Sequence, residues 1–208
     1  DPDLAFEIVP VIDGVLPEAP DVCDGWIITG SRHGVYDDLP WIEPLKSFLR
    51  AARARRVPIV GVCFGHQILA EAFGGRAVKH EGGWRLGTHE FAFAPGPSWA
   101  EAAAAALRLH SVHQDQVVAI PADASIWATS PGCAYAGLIY GDPERPDAIS
   151  VQPHPEFETA FAGALVELLD EDRVVAPEVA AAARASLAPV DNAALGRVFA
   201  DYFKTAMG

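Results

Sequence analysis

The stretch Pro58-Ile59-Val60-Gly61-Val62-Cys63-Phe64-Gly65-His66-Gln67 decides how this chain is read. Its apolar, β-branched first half (Ile59 to Val62) predicts a buried strand, and Ile68-Leu69-Ala70-Glu71-Ala72-Phe73 predicts a helix. Between them, Gly61 and Gly65 flank the thiol of Cys63. This is the layout of a nucleophile elbow, a sharp strand-to-helix turn that lifts one side chain out of the sheet. Glycines on either side make room for the strained backbone such a turn needs. The turn also sets the sulfur at a helix N-terminus, where the dipole and free N–H groups favour a thiolate. A buried, inert cysteine is the commoner fate of this residue type, but two glycines at a strand–helix junction weigh against it.

A thiol nucleophile needs a base, and the base needs a group to orient it. Far downstream, the strand-like Ala148-Ile149-Ser150-Val151-Gln152 runs into Pro153-His154-Pro155-Glu156. His154 and Glu156 supply the two missing types, and in extended backbone residues two apart point to one side. The flanking prolines stiffen that segment by fixing their own φ and restricting their neighbours. A His beside a Glu is most often a solvated surface pair. At the end of a buried strand and between prolines, it reads as part of a site.

With both segments in hand, the chain resembles the class I, triad-type glutamine amidotransferase family, above all stand-alone members similar to the amidotransferase domain of GMP synthase. The resemblance runs roughly from Asp24 to Glu158 and rests on Gly61-Val-Cys-Phe-Gly-His-Gln67 and His154-Pro-Glu156. It implies a catalytic triad of Cys63, His154 and Glu156 that attacks a γ-glutamyl amide, releases ammonia and forms a γ-glutamyl thioester for water to resolve. It further implies an oxyanion hole from Phe64 N–H and from Gly30, in the turn after Trp26-Ile27-Ile28-Thr29. That turn reads Thr29-Gly30-Ser31-Arg32-His33-Gly34 where the family frequently carries Gly-Gly-Pro. Gln67 is implied to hold the substrate, and His113, Gln114 and Asp115 to line its pocket, since Leu109 to Val117 resembles the family's pocket segment. The implied fold is α/β and flavodoxin-like.

The spacing of His110 and His113 resembles a helical metal pair. Their flanks read as strand, where residues three apart face opposite ways, so neither metal nor cofactor is expected. His33 is placed at the site mouth and His66 on the helix after the elbow, while His80 and His89 flank the Glu81-Gly82-Gly83 loop. Cys23 and Cys133 lack a base and flanking glycines, and are read as inert.

The 208 residues suffice for one well-buried domain over 1–208, without a second enzyme. A formal net charge of −13 argues against nucleic acid and anionic membrane surfaces as partners. No apolar run reaches membrane-spanning length. Three cysteines make no disulfide framework, which points to a cytoplasmic setting. Ala5 to Val11, Trp26 to Thr29 and Pro58 to Val62 are expected strands, with Trp41 to Arg55 a helix. Further strands are expected at Ala77–Lys79, Thr88–Phe93, Leu107–Val112, Ser125–Thr129, Tyr135–Tyr140 and Ala148–Gln152. Early β-α-β alternation gives an open, mostly parallel twisted sheet with helices on both faces, and the hairpin-rich middle adds antiparallel strands. Both site segments fall at C-terminal strand ends, where open α/β sheets bind ligands. Ala-rich 102–106 and 180–183 read as helix formers. Residues 157–208 predict helices packed on the domain, with Pro177 in the first turn of one and Asp191 capping the last; this tail leaves room for a homodimer contact. Because the resemblance puts a strand, loop and helix before Phe6–Val11, the chain is expected to lack its true start.

Three functions follow: a glutaminase feeding ammonia to a separate synthase subunit, a stand-alone γ-glutamyl peptide or amide hydrolase, and a silent binding or regulatory subunit. No Gly-x-x-x-x-Gly-Lys-Ser/Thr loop is present, so an ATP-dependent half would sit on another protein. Nothing structural requires Cys63, His154 and Glu156 together, which argues against the silent reading.

Overall fold

The computed structural model describes residues 4–103 and 106–207. Strand β1 (Trp26–Ile28) leads through a long loop to helix α1 (Ile42–Ala54). Strand β2 (Ile59–Val62) then passes directly into helix α2 (Phe64–Ala72), with Cys63 between them. All four residues of β2 are buried, as a strand covered on both faces must be. In α1, Ile42, Leu45, Leu49 and Ala52 recur at helical spacing and turn to the core.

Strands β3 (Arg76–Lys79), β4 (Arg85–Phe93), β5 (Ala106–His113), β6 (Asp115–Ala119), β7 (Ala124–Ser130), β8 (Cys133–Tyr140) and β9 (Ala148–Val151) follow. Seven strands form one sheet in the order β1-β2-β9-β8-β7-β4-β5, and β3 pairs with β6 in a separate ribbon. β1, β2 and β9 are parallel neighbours. The remaining pairings are antiparallel, so only β8 and β4 run against the other strands. The result is the expected α/β fold, its sheet mixed rather than uniformly parallel.

Helices α1 and α2 cover one face of the sheet, with Leu45 and Leu49 of α1 and Ile68 and Leu69 of α2 in one core cluster with Ile59 and Tyr140. The other face packs Val60, Val62, Trp99, Trp127 and Ile149 against helix α5 (Asn192–Met207) through Leu195, Val198 and Tyr202. The Tyr202 hydroxyl accepts from Ile59 N at 3.2 Å and donates to Asp147 O at 3.0 Å, tying the tail helix to β2 and β9. Helices α3 (Thr159–Glu171) and α4 (Pro177–Ser186) sit over Leu86 of β4.

The expected strand at Ala5–Val11 is absent. The segment is irregular and closes in a 3₁₀ turn, Val11–Asp13, because Pro10 offers no ladder donor and Gly14 adopts φ 79°. Phe6 and Ile8 are exposed rather than pleated into a core. Of the Ala-rich stretch 102–106, Ala102 and Ala103 end a 3₁₀ turn (Ser98–Ala103) and Ala106 begins β5; residues 104 and 105 lie outside the described residues. β6 has no counterpart among the expected strands.

The β2–α2 junction depends on two missing side chains. A Cβ on Gly65 would overlap the carbonyl oxygen of Ile28, and one on Gly61 would stand 2.6 Å from the Gly65 carbonyl. Both obstacles are backbone and cannot swing away. Gly65→Ala is therefore expected to destabilise the fold by about 3 kcal/mol or more, the upper range for overpacking. Gly196→Ala, in α5 with open space around it, should stabilise it by about 0.5–1 kcal/mol. Urea denaturation of both variants checks the contrast.

Candidate functional site

Cys63 has φ 53° and ψ −101° and is the N-cap of α2. A non-glycine residue at positive φ is uncommon and strained. The strain is held by ordinary bonds: Cys63 N donates to Val151 O at 2.9 Å, and Gln67 N donates to Cys63 O at 3.1 Å. The elbow thus extends the β2/β9 ladder by one residue before the helix starts. The first N–H groups of a helix have no acceptor within it, so those of Phe64 and Gly65, the two residues after Cys63, are free of intrahelical bonds.

β9 ends at Val151, and the chain continues alongside β5: His154 N donates to His110 O at 2.9 Å. This fixes the backbone on which the imidazole stands. His154 Nδ1 lies 2.7 Å from Glu156 Oε1, leaving Nε2 as the ring nitrogen for the sulfur. The ring of Phe157 stacks on His154 at 4.0 Å between centroids and 7° between planes. Burial alone would strip His154 of its proton. The charge of Cys63 and a hydrogen bond to it, with Glu156 behind, outweigh that and push its pKa up to about 10. Cys63 and His154 are 6% and 4% exposed, while Glu156 reaches the surface.

Gly30 is close to both. A Cβ there would come within 2.9 Å of His154 Cε1 and 3.8 Å of Cys63 Cβ, so the turn after β1 closes over the pair only because residue 30 is glycine. Gln67 is buried, its amide donating to Asp115 O at 3.0 Å and to Gln152 Oε1 at 3.2 Å. His113 Nδ1 meets the same Asp115 carbonyl at 3.0 Å, while its Nε2 is buried without a partner. Burial lowers the His113 pKa to about 3, aided by the charges of Arg85, His154 and His66. Asp115 Oδ1 accepts from the Tyr36 hydroxyl at 3.0 Å, latching the loop after β1 to the turn between β5 and β6. Gln114 is half-buried, and its carbonyl accepts from His80 N at 3.1 Å.

The structure therefore gathers Cys63, His154, Glu156, Gly30 and Phe64 around one point, with Gln67, His113 and Asp115 in a contiguous network beside it. Gln114 meets the ribbon strand β3 through its backbone. Sequence reasoning missed Phe157, Gln152 and Tyr36. Phe157 follows the Pro-His-Pro-Glu segment directly, which was a usable signal; the other two are brought in only by tertiary folding. His66, on the buried side of α2, bonds Ser150 Oγ at 2.7 Å. Burial raises the Cys133 pKa to about 11. Among the described residues, no three His, Cys, Asp or Glu gather to hold a metal ion, and no helix is long and apolar enough to cross a membrane.

Comparison with known proteins gives the family and the fold. The family profile described as glutamine amidotransferase class-I matches residues 8–166. Gamma-glutamyl peptidase 4 of Arabidopsis thaliana is 30% identical over 154 residues, covering 71% of this chain and 60% of that protein. One subunit of the glutamine-hydrolyzing GMP synthase of Halobacterium salinarum is 32% identical over 155 residues, covering 74% of this chain and 78% of that protein. A glutamine amidotransferase structure from Methylobacillus flagellatus superposes with a TM-score of 0.78 over 98% of this chain and 86% of that one, at 23% identity.

The histidines set the pH dependence of stability. Burial lowers His66 and His89 to about 4 and His113 to about 3. Between their ordinary value of 6.5 and those values only the unfolded chain takes the protons, so stability falls as pH falls. His154 has the opposite sign. Its proton is kept by the folded state alone between 6.5 and about 10, so its contribution is full below 6.5 and is lost as pH rises towards 10. Stability should peak near pH 6.5, each limb falling by about 1.4 kcal/mol per pH unit for each proton. Cys63→Ala should flatten the alkaline limb. Chemical denaturation at successive pH values measures both; a steady rise from pH 4 to 9 contradicts the assignment.

Proposed function

The chain belongs to the class I glutamine amidotransferase family, and we propose that it is a thiol hydrolase of γ-glutamyl amides. Glutamine is the simplest such substrate, and the released ammonia is passed to a partner synthase. The observation that carries this is a strained cysteine at a helix N-terminus, with His154 beside it and Glu156 on the far ring nitrogen at 2.7 Å. In the proposed reaction, Cys63 Sγ attacks the γ-carbonyl carbon, and the oxyanion forms against the N–H groups of Phe64 and Gly30. His154 gives its proton to the departing nitrogen as the C–N bond breaks, leaving a γ-glutamyl thioester. Water then attacks, losing a proton to His154, and glutamate leaves as the C–S bond breaks. Gln67, His113, Gln114 and Asp115 form the pocket that holds the glutamyl unit.

All three cysteines are unpaired, which suits the reducing cytoplasm in which such a nucleophile survives. A second reading is supported by the matched gamma-glutamyl peptidase: the same thioester chemistry acting on γ-glutamyl peptides, with no synthase. Because the match spans 60% of that relative's length, the partner and substrate are argued from the site, not from its name.

Ammonia release from glutamine and amino-acid release from γ-glutamyl peptides, measured on the protein alone, separate the two readings. Feeble glutaminase with efficient peptide cleavage selects the second. In either case Cys63→Ala should abolish turnover, His154→Ala should lower kcat by about 10⁴-fold, and Glu156→Gln by less. Turnover retained by Cys63→Ala refutes the proposal.

A further inference from the structure

Arg85 opens β4 directly opposite His113 in the β4/β5 ladder. Residues paired in this way project from the same face, so the guanidinium shares a side of the sheet with the ring that meets Asp115 O beside Gln67. It holds the β7–β8 turn: Nη2 donates to Ser130 Oγ at 2.8 Å, and Nη1 donates to Pro131 O. Those two bonds use two of its five N–H donors. Its Nε is buried and has no acceptor.

Among the described residues, no Asp or Glu forms an ion pair with Arg85, although the other two partly buried arginines, Arg53 and Arg184, each have two carboxylates. The chain carries 28 acidic residues, so this absence is not for want of carboxylates. Burial lowers the Arg85 pKa, and the nearby ionisable group working against that is the Cys133 thiol, itself held neutral by burial. A half-buried cation with a buried spare donor and no counter-ion is poised to take an anionic ligand. Cys133 feels the charges of both Arg85 and Cys63, and His113 those of both Arg85 and His154. His113, opposite Arg85, shares the Asp115 carbonyl with Gln67, so Arg85 adjoins the network beside the candidate catalytic pair. Beside it, a cavity of about 360 Å³ is walled by Ser130, Gly132, Cys133 and His80; Gly132 leaves Arg85 Nη1 uncovered, since a Cβ there would stand 3.0 Å from it.

Resting on the γ-glutamyl hydrolase reading, we propose that Arg85 is a specificity residue that binds a carboxylate of the substrate. The fork suits a planar carboxylate. Two carboxylates are available: the α-carboxylate of the γ-glutamyl unit and that of an amino acid in the leaving group.

Calorimetric binding to the Cys63→Ala protein tests this without requiring turnover. The ligands are γ-glutamylglycine, γ-glutamylglycinamide, which lacks the leaving-group carboxylate, and 4-aminobutanoylglycine, which lacks the α-carboxylate. Adding Arg85→Gln should weaken γ-glutamylglycine by about tenfold to a hundredfold. Whichever ligand lacks the bound carboxylate should show no further loss, and so identify it; Arg85→Lys should restore part of the affinity. Equal weakening of all three ligands would make Arg85 only a brace for the β7–β8 turn and overturn the proposal. So would unchanged affinity for all three, or no binding of γ-glutamylglycine by Cys63→Ala itself. Glycine release from γ-glutamylglycine by the unmodified protein tests the hydrolase reading separately: release with unchanged Arg85→Gln binding sinks only the carboxylate site.

Discussion

The approach of the α2 N-terminus to the end of β1, glycine against carbonyl at Gly65 and Ile28, is the constraint on which the site depends. It lets the chain leave β2 and start a helix within one residue, and that residue is Cys63. The same closeness brings Gly30, two residues beyond Ile28, against both Cys63 and His154. One steric fact therefore sets the position of Cys63, the start of α2 beside it and the turn that closes over it.

The second half of the site is built by sheet pairing instead. β9 lies beside β2 in parallel register, so both strands deliver their C-terminal ends to one edge. The bridge from His154 to His110 then carries the chain across to β5. Glu156 and Phe157 hold the imidazole at its edge and over its face. Proton retention by His154 follows from this packing, since its charged partner stands close enough to outweigh burial. The buried histidines around it carry no such partner and stay neutral.

How much of this was legible in the sequence depended on how local the signal was. The elbow, its glycines and the Pro-His-Pro-Glu segment are encoded in short runs, and the structure brings them together as read. The helix at 42–54 and the strands flanking Cys63 and His154 were equally local, because apolar spacing and β-branching fix them. Ala5–Val11 misled because an apolar run resembles a strand whether or not a neighbour exists to pair with it. β6 was hidden because Asp115-Gln116-Val117-Val118-Ala119 has too little alternation, and it becomes a strand by pairing with β3. The unpaired state of Arg85 could not be read at all: which carboxylates fold away from an arginine is a property of the tertiary structure.

In the proposed reaction, Cys63 carries the γ-glutamyl group between two half-reactions. Acid-quenching the unmodified protein during turnover of γ-glutamylglycine or glutamine, followed by peptide mapping by mass spectrometry, observes that species directly. The expected result is a γ-glutamyl adduct on the peptide containing Cys63, labile to hydroxylamine as a thioester is. Turnover with Cys63 unmodified throughout and the adduct on Cys133 or Cys23 would contradict it.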